Sequence, residues 1–452
     1  MVFAPRRRLE LAFPDQLPVT HLLPGLLRHA GEELADQGLA HEGWVLRRSD
    51  GSMLDPGASL AAQRVRDGEV VHLVPRRLEW PETTYDDIVD VIAAGARRRG
   101  ARWAGGATRV AGLEFAAIAL LVGLVTAAFA GPPWTVTAAL TLGVAGVLLV
   151  TGAILSRAIA DAAAGADVAA AAMPFAFLGG MLLLLGDEPL VNIGAPHLLT
   201  GSALVVVTGL AGHLATGEHG RLFVAGMTVG MFGVLGAALP LLFSIFDGAG
   251  SAALVVSILL LFSPLLPTIA MRVGRIPLPD LPRNPEDLIA DTPQPDRRSV
   301  EQATARADEV LTGGLIGIAV ATVVGLAMLA AERRVTAILL AVTVSLAFLL
   351  RARFHIGVRH RVPLLFAGAA GLALVGGSLG IAGGEDRVLL ALPVVTVVAL
   401  IALAAGLTYR RRPPSPRLGR YADILDVLLT LAVVPLAADV FGLYAYVRGL
   451  TG

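Results

Sequence analysis

The sequence predicts an α-helical polytopic membrane protein, with eleven transmembrane helices behind a small N-terminal cytoplasmic α+β domain. Three observations carry this reading. Of the 452 residues, 55% are hydrophobic and 16% are charged, with a mean hydropathy of +0.71, whereas a soluble domain carries about 25% charged residues. Apolar runs of about 20 residues, enough to cross a bilayer, follow one another from Val110 onward. The formal net charge of +0 hides an asymmetry, because Asp and Glu crowd the first 100 residues and one later loop.

Missing residue types narrow the chemistry. Cysteine is absent, which excludes disulfides, thiol nucleophiles, thiolate metal sites and iron–sulfur clusters in this chain. All 36 residues counted as Lys+Arg are Arg, so there is no P-loop lysine and no Schiff base. The chain reads as non-enzymatic, with no cofactor, no metal and no nucleic-acid partner. Met1–Arg8 leads into an alternating stretch that lacks the apolar run of a signal peptide, so the N-terminal region is expected to remain in the cytoplasm.

The polar head runs to about Pro75. Arg8–Phe13 alternates as a strand does, and Pro14-Asp15 ends it. An amphipathic helix follows from Thr20, a candidate N-cap, with Leu22, Leu23, Leu26, Leu27 and Leu34 at helical spacing. Trp44–Arg47, Met53-Leu54 and Val70–Val74 read as short strands, punctuated by the turns Asp50-Gly51 and Asp67-Gly68. Strand, helix and turn-linked strands within about 75 residues suggest a β-grasp, close to the lower size limit for independent folding.

A charged connector spans residues 76–109. Thr84 and Asp87 resemble a capping box, and the acids in the first turn of the helix they open suit the positive end of its dipole. Arg97, Arg98, Arg99 and Arg102 would sit among anionic headgroups, each worth about 1 kcal/mol near the surface.

The spans are placed at Val110–Ala130, Trp134–Ser156, Asp167–Leu185, Pro196–Thr216, Leu222–Ile245, Ser251–Met271, Val310–Ala331, Val335–Leu350, Val362–Ile381, Val388–Thr408 and Ala422–Tyr446. Arginine counting orients them. With the N-terminus inside, 15 Arg precede the first span, and later cytoplasmic loops hold 17 against 4 in outer segments. The C-terminus is then extracytoplasmic. The long cytoplasmic loop 272–309 begins with six prolines that keep it extended. Ser299 and Gln302 fit a capping box, starting a polar helix that leads into the seventh span, close behind Arg297 and Arg298.

Ionisable groups in spans are where transport chemistry would lie. Glu114, Asp161, Asp167 and His213 fall near cytoplasmic ends, and Asp439 lies about two turns inside the last span. A proton or ion relay is the minority reading of these residues. His355 and His360 read as part of a basic headgroup-facing loop, because no Asp, Glu or Cys adjoins them. The pairs Gly226/Gly230, Gly313/Gly317, Gly376/Gly380 and Gly380/Gly384 allow close helix approach. Pro174, Pro240 and Pro264 are scattered as kinks, without the matched broken helices of a carrier. A secondary solute or ion transporter with a regulatory head is therefore the alternative reading, and a scaffold is favoured.

Taken in order, these parts resemble the EccD family, integral membrane components of actinobacterial type VII (ESX) secretion systems. The residues that carry the resemblance run from Leu73-Val74-Pro75-Arg76 to Tyr85-Asp86-Asp87-Ile88-Val89-Asp90. The resemblance implies a ubiquitin-like β-grasp domain at 1–75, a basic linker at 76–109 and an eleven-helix domain at 110–452. It further implies a dimer around a lipid-facing cavity, scaffolding EccB-, EccC- (the ATPase) and EccE-type subunits for export of WXG100 or PE/PPE proteins. Tyr85, Asp86, Asp87, Asp90, Arg97, Arg98, Arg99, Arg102, Arg297 and Arg298 are the candidate partner or membrane contacts. One departure is the opening hairpin, for which only Met1–Phe3 precede Pro5. The head also lacks a terminal Gly-Gly, so its expected role is docking, not conjugation.

Overall fold

The computed structural model describes residues 2–4, 8–9, 13–30, 43–48, 50–66, 68–75, 105–217, 219–277, 296–381, 384–409 and 415–451. The chain divides into two compact units, Met1–Trp103 and Ala104–Gly452.

In the first unit, β1 (Val2–Phe3) and β2 (Arg8–Leu9) form the short opening hairpin, followed by α1 (Val19–Ala30), β3 (Trp44–Arg48) and β4 (Val71–Pro75). The sheet order is β2-β1-β4-β3. The central β1/β4 pair is parallel, and both outer pairs are antiparallel. Alternate strand residues Val2, Trp44, Leu46, Val71 and Leu73 pack with Val19, Leu26 and Ala30 of the helix, and all are buried. The hairpin survives at two residues per strand because Val2 pairs with both Leu9 and Val71. Thr20 is not the N-cap: α1 starts one residue earlier, and the Thr20 hydroxyl donates to the Pro56 carbonyl at 2.6 Å. It ties the helix to the loop that carries Leu54. Asp50-Gly51 turns as expected, with Gly51 at φ +91° and the Asp50 carboxylate accepting from Ser52 N–H at 2.8 Å.

The second unit is a helical bundle. Its elements are α2 (Gly105–Ala128), α3 (Thr135–Arg157), α4 (Ala162–Ala170), α5 (Ala172–Leu185), α6 (Ala195–Thr216), α7 (Gly220–Leu242), α8 (Gly248–Phe262) and α9 (Leu266–Gly274). There follow α10 (Arg297–Glu332), α11 (Val335–Arg351), α12 (Val358–Ile381), α13 (Gly384–Tyr409), α14 (Pro416–Val440) and α15 (Leu443–Thr451). Among the described residues nine segments are long and apolar enough to cross a membrane, with α4–α5 and α8–α9 each counted once. Joining α14 to α15 makes ten. The tenth expected span lies in α13, whose apolar portion Val395–Tyr409 is shorter than that criterion.

Prolines explain the broken helices. Pro174 offers no N–H to the Ala170 carbonyl, and the chain breaks between α4 and α5 at Ala171. Pro264 does the same between α8 and α9. The expected polar helix leads into the seventh span, but it opens at Arg297 and not at the Ser299/Gln302 capping box, and α10 runs unbroken for 36 residues. Ser299 sits inside its first turn and donates to the Asp296 carbonyl at 2.7 Å. At 1.5 Å per residue α10 is about 54 Å long, well beyond the roughly 30 Å hydrocarbon core, and its polar half stays packed on α9, where Ala303 and Ala307 are buried against Gly274.

Packing rests on small residues, since lipid offers no hydrophobic drive between helices. A Cβ on Gly313 would stand 2.5 Å from the Arg221 carbonyl, and one on Gly317 would stand 2.5 Å from Thr228 Cβ. Both contacts seat α10 on α7. Gly226 and Gly230 are equally tight, whereas Gly376 and Gly380 meet nothing within 4 Å. The closest crossing joins α3 to α4, where Gly152 and Gly165 each face the other's carbonyl. The short α11 is the core of the bundle: Ala337, Leu340, Ala341, Val344, Ala347 and Phe348 are all fully buried.

Candidate functional site

Polar contacts in the bundle collect in two belts. At one end Arg109 grips Asp161 with Nε and Nη2 at 2.8 and 2.6 Å. Asp161 also caps α4 by accepting from Ala164 N–H at 3.0 Å. The Arg109 guanidinium and this cap hold its carboxyl down at about 2. Next to it Arg157 donates to the Ala215 and Leu214 carbonyls at 2.9 and 3.0 Å, and Ser156 donates to the Thr216 carbonyl at 2.9 Å. These bonds satisfy carbonyls left over at the end of α6. Asp167 meets His219 at 3.1 Å.

The same belt continues around α10. Glu309 accepts from the Arg221 backbone N–H at 2.7 Å, placing a carboxylate at the positive end of α7. Asp308 reaches His360 Nε2 at 3.0 Å, and Thr312 lies 3.1 Å from the same nitrogen. His360 therefore belongs to an inter-helix contact and not to a headgroup-facing loop. Its neighbours in sequence carry no acid; the acid arrives from another helix.

At the other end of the spans, Arg334 pairs with Glu332 at 2.8 Å and Asp247 at 3.3 Å. Asp247 also caps α8 through Gly250 N–H at 2.6 Å. Trp134 is buried, with its indole N–H donating to the Glu188 carbonyl at 2.8 Å. Between the belts, hydroxyls turn back on their own helices: Thr208 onto Leu204, Ser257 onto Ala253, Ser345 onto Ala341.

One polar node lies deeper. Pro264 lacks the N–H that would bond the Leu260 carbonyl, which instead accepts from the Ser263 backbone N–H, from the Ser263 hydroxyl at 2.9 Å and from the Arg351 guanidinium. Arg351 also donates to Ser263 Oγ at 2.9 Å, Thr430 Oγ1 at 2.8 Å and Asp426 at 3.2 Å. The pair is shielded, with side-chain exposures of 8% and 14%. A companion pair, Arg353 and Asp423 at 2.5 Å, sits at the surface beside it. Arg351 is thus a buried tie between α8, α11 and α14, not a loop cation. Asp426 was legible as an acid inside an apolar run, and its spacing of three from Asp423 matches two arginines spaced by two.

The residues expected to make contacts divide sharply. Tyr85, Asp86, Asp87, Asp90, Arg97, Arg98, Arg99 and Arg102 lie outside the described residues. Arg297 and Arg298 open α10 at its exposed end, where Arg297 bonds Glu301 at 2.7 Å. Glu114 is exposed on α2. Asp439, expected two turns inside a span, is exposed in the last turn of α14, because the helix ends at Val440. Among the described residues no group of three or more His, Asp or Glu side chains could hold a metal.

Long apolar helices and the paired belts define a multi-pass integral membrane protein whose polar groups fasten helices to one another. The family model for the EccD-like transmembrane domain matches residues 108–450, and that for YukD, a WXG100 protein secretion system protein, matches residues 1–73. The chain belongs to the EccD family and is a membrane component of type VII secretion, a multi-pass protein of the inner membrane. It is 26% identical to the ESX-4 secretion system protein eccD4 of Mycobacterium tuberculosis, in two strains, over 99% of this chain and 96% of the relative. Its fold is similar to protomer 1 of the ESX-3 core complex (TM-score 0.61, 20% identity, 98% of each chain). It is also similar to a chain of the MycP5-free ESX-5 inner membrane complex in state II (TM-score 0.60, 19% identity, 90% of this chain and 97% of that one). The YukD match accords with the ubiquitin-like expectation for the head.

Proposed function

We propose that the chain is a non-enzymatic scaffold subunit of an ESX complex, dimerising in the cytoplasmic membrane and docking EccB-, EccC- and EccE-type subunits. The family match over residues 108–450 carries this reading. In this proposal eleven spans, with the N-terminus inside and the C-terminus outside, would put the head (1–75), the linker (76–109) and the loop 272–309 in the cytoplasm. Tyr85, Asp86, Asp87 and Asp90 would contact partners, and Arg97, Arg98, Arg99 and Arg102 would face anionic lipid. The exposed first turn of α10, with Arg297 and Arg298, supports a docking surface at that end of the bundle. Its cargo would be WXG100 or PE/PPE proteins.

A mild-detergent pull-down of the tagged chain from native membranes tests the proposal. Recovery in a megadalton-scale assembly with an ATPase is expected, with Asp439→Asn leaving assembly and export unchanged. A lone monomer or dimer across several detergents, together with solute flux that depends on Asp439 or Glu114, would overturn it in favour of a transporter.

A further inference from the structure

The last expected span, Ala422–Tyr446, does not run straight through. α14 ends at Val440, and α15 leaves it at a bend of 54° across Phe441 and Gly442. Gly442 has a φ of +78°, in the left-handed region that glycine adopts without steric cost. The hinge is seated on the bundle. Phe441 packs on Phe246 with ring centroids 5.2 Å apart, and a Cβ on Gly250 would stand 2.9 Å from Phe441 Cβ. The first turn of α15 is hydrogen-bonded to the hinge, with Tyr446 N–H donating to the Gly442 carbonyl at 2.9 Å.

The height of this hinge is marked by charge. Arg334, paired with Glu332 and Asp247, also donates to the Val440 carbonyl at 3.5 Å. Asp439 is one residue away and exposed. Charged groups gathered at one level lie where hydrocarbon gives way to headgroups. α15 therefore starts at that boundary and turns aside from the direction of α14.

Its side chains suit the boundary. Leu443 and Val447 stand one turn apart and are 37% and 48% exposed. At about 100° per residue, Tyr444 and Tyr446 fall on opposite flanks of that stripe, 45% and 56% exposed. Ala445, Arg448 and Gly449 take the remaining side. We propose that α15 is an interfacial helix, lying in the surface of the leaflet at that end of the spans. Leu443 and Val447 enter the acyl boundary, Tyr444 and Tyr446 sit at headgroup level, and Ala445 and Arg448 face the water side. An amphipathic helix binds a membrane surface this way, and tyrosine is enriched at that depth because its ring is apolar and its hydroxyl is polar. On the orientation proposed above this is the outer leaflet, but the helix geometry does not depend on that assignment.

The absence of cysteine makes the test direct. Single substitutions from Leu443→Cys to Arg448→Cys are spin-labelled in the full-length protein, reconstituted in phosphatidylethanolamine/phosphatidylglycerol vesicles. Collision rates with oxygen and with a water-soluble nickel chelate are then measured. We expect oxygen contact to peak at 443 and 447, chelate contact to peak at 445 and 448, and 444 and 446 to fall between. The label depth should be about 5–10 Å below the headgroup boundary at the two peaks. Uniform chelate access would mean a helix standing in water. Protection from both probes would mean a protein partner. Depth rising steadily from 443 to 448 would mean a continuing span. Each of these three results overturns the proposal. Because the reading is a period across six positions, a label that disturbs folding at one of them leaves the pattern readable from its neighbours.

Discussion

Arg351 joins three helices at one point: its buried guanidinium donates to the Leu260 carbonyl and pairs with the half-buried Asp426. Removing one partner of a buried pair leaves the other uncompensated, at a cost of about 3–5 kcal/mol. Arg351→Leu should therefore lower the thermal stability of the detergent-solubilised protein by that order, with Asp426→Asn milder because its amide oxygen still accepts. Asp161 provides the pH dependence. Its folded value of about 2 lies below the ordinary carboxylate range of about 3.9. Its contribution is thus fully present above pH 4 and is lost only as pH falls through 2. Stability should not respond to Asp161 between pH 5 and 8, and Asp161→Ala should destabilise more than Asp161→Asn, which keeps the cap to Ala164.

At the scale of elements, glycines separate into those that fasten helices and those that do not. Gly317 lies against Thr228 and the Ala225 carbonyl, closer than any side chain could come. Gly317→Val should cost about 1–3 kcal/mol by overpacking α10 against α7, visible as a lower melting temperature. Gly376→Ala, with nothing within 4 Å, should be neutral or stabilising by roughly 0.5–1 kcal/mol, the helix cost of glycine relative to alanine. Sequence motifs alone ranked these positions equally, because a GxxxG spacing says which residues share a face and nothing about what that face meets. The eighth span shows the reverse: its helix has only 17 residues, yet Ala337, Leu340, Ala341, Val344, Ala347 and Phe348 are fully buried, because a helix enclosed by others needs no lipid-matched length.

For the whole molecule, the two compact units should unfold separately. Leu26 is 1% exposed in the head core, and Leu26→Ala should remove about 2–5 kcal/mol, enough to unfold so small a domain. Hydrogen exchange should then report loss of protection in α1 and β4 while α10 and α11 stay protected. If the head is a docking module, the same variant should release partner subunits without displacing the chain from the membrane.

Composition, arginine asymmetry and the alternation of the head were enough to determine a multi-pass helical protein with a small α+β domain, and the order of parts pointed to its family. Those signals are local: hydropathy is summed along a segment, and strand alternation is read within a few residues. Which charges meet was decided only in three dimensions. Arg351 and Asp426, Asp308 and His360, Arg109 and Asp161 are separated by long stretches of chain, and each pair forms because helix packing brings two surfaces together. The same holds for the end of the chain. Hydropathy carried the last span through to Tyr446, whereas the turn at Gly442 depends on Phe441 being seated against Phe246 and Gly250, a contact that no window along the sequence contains.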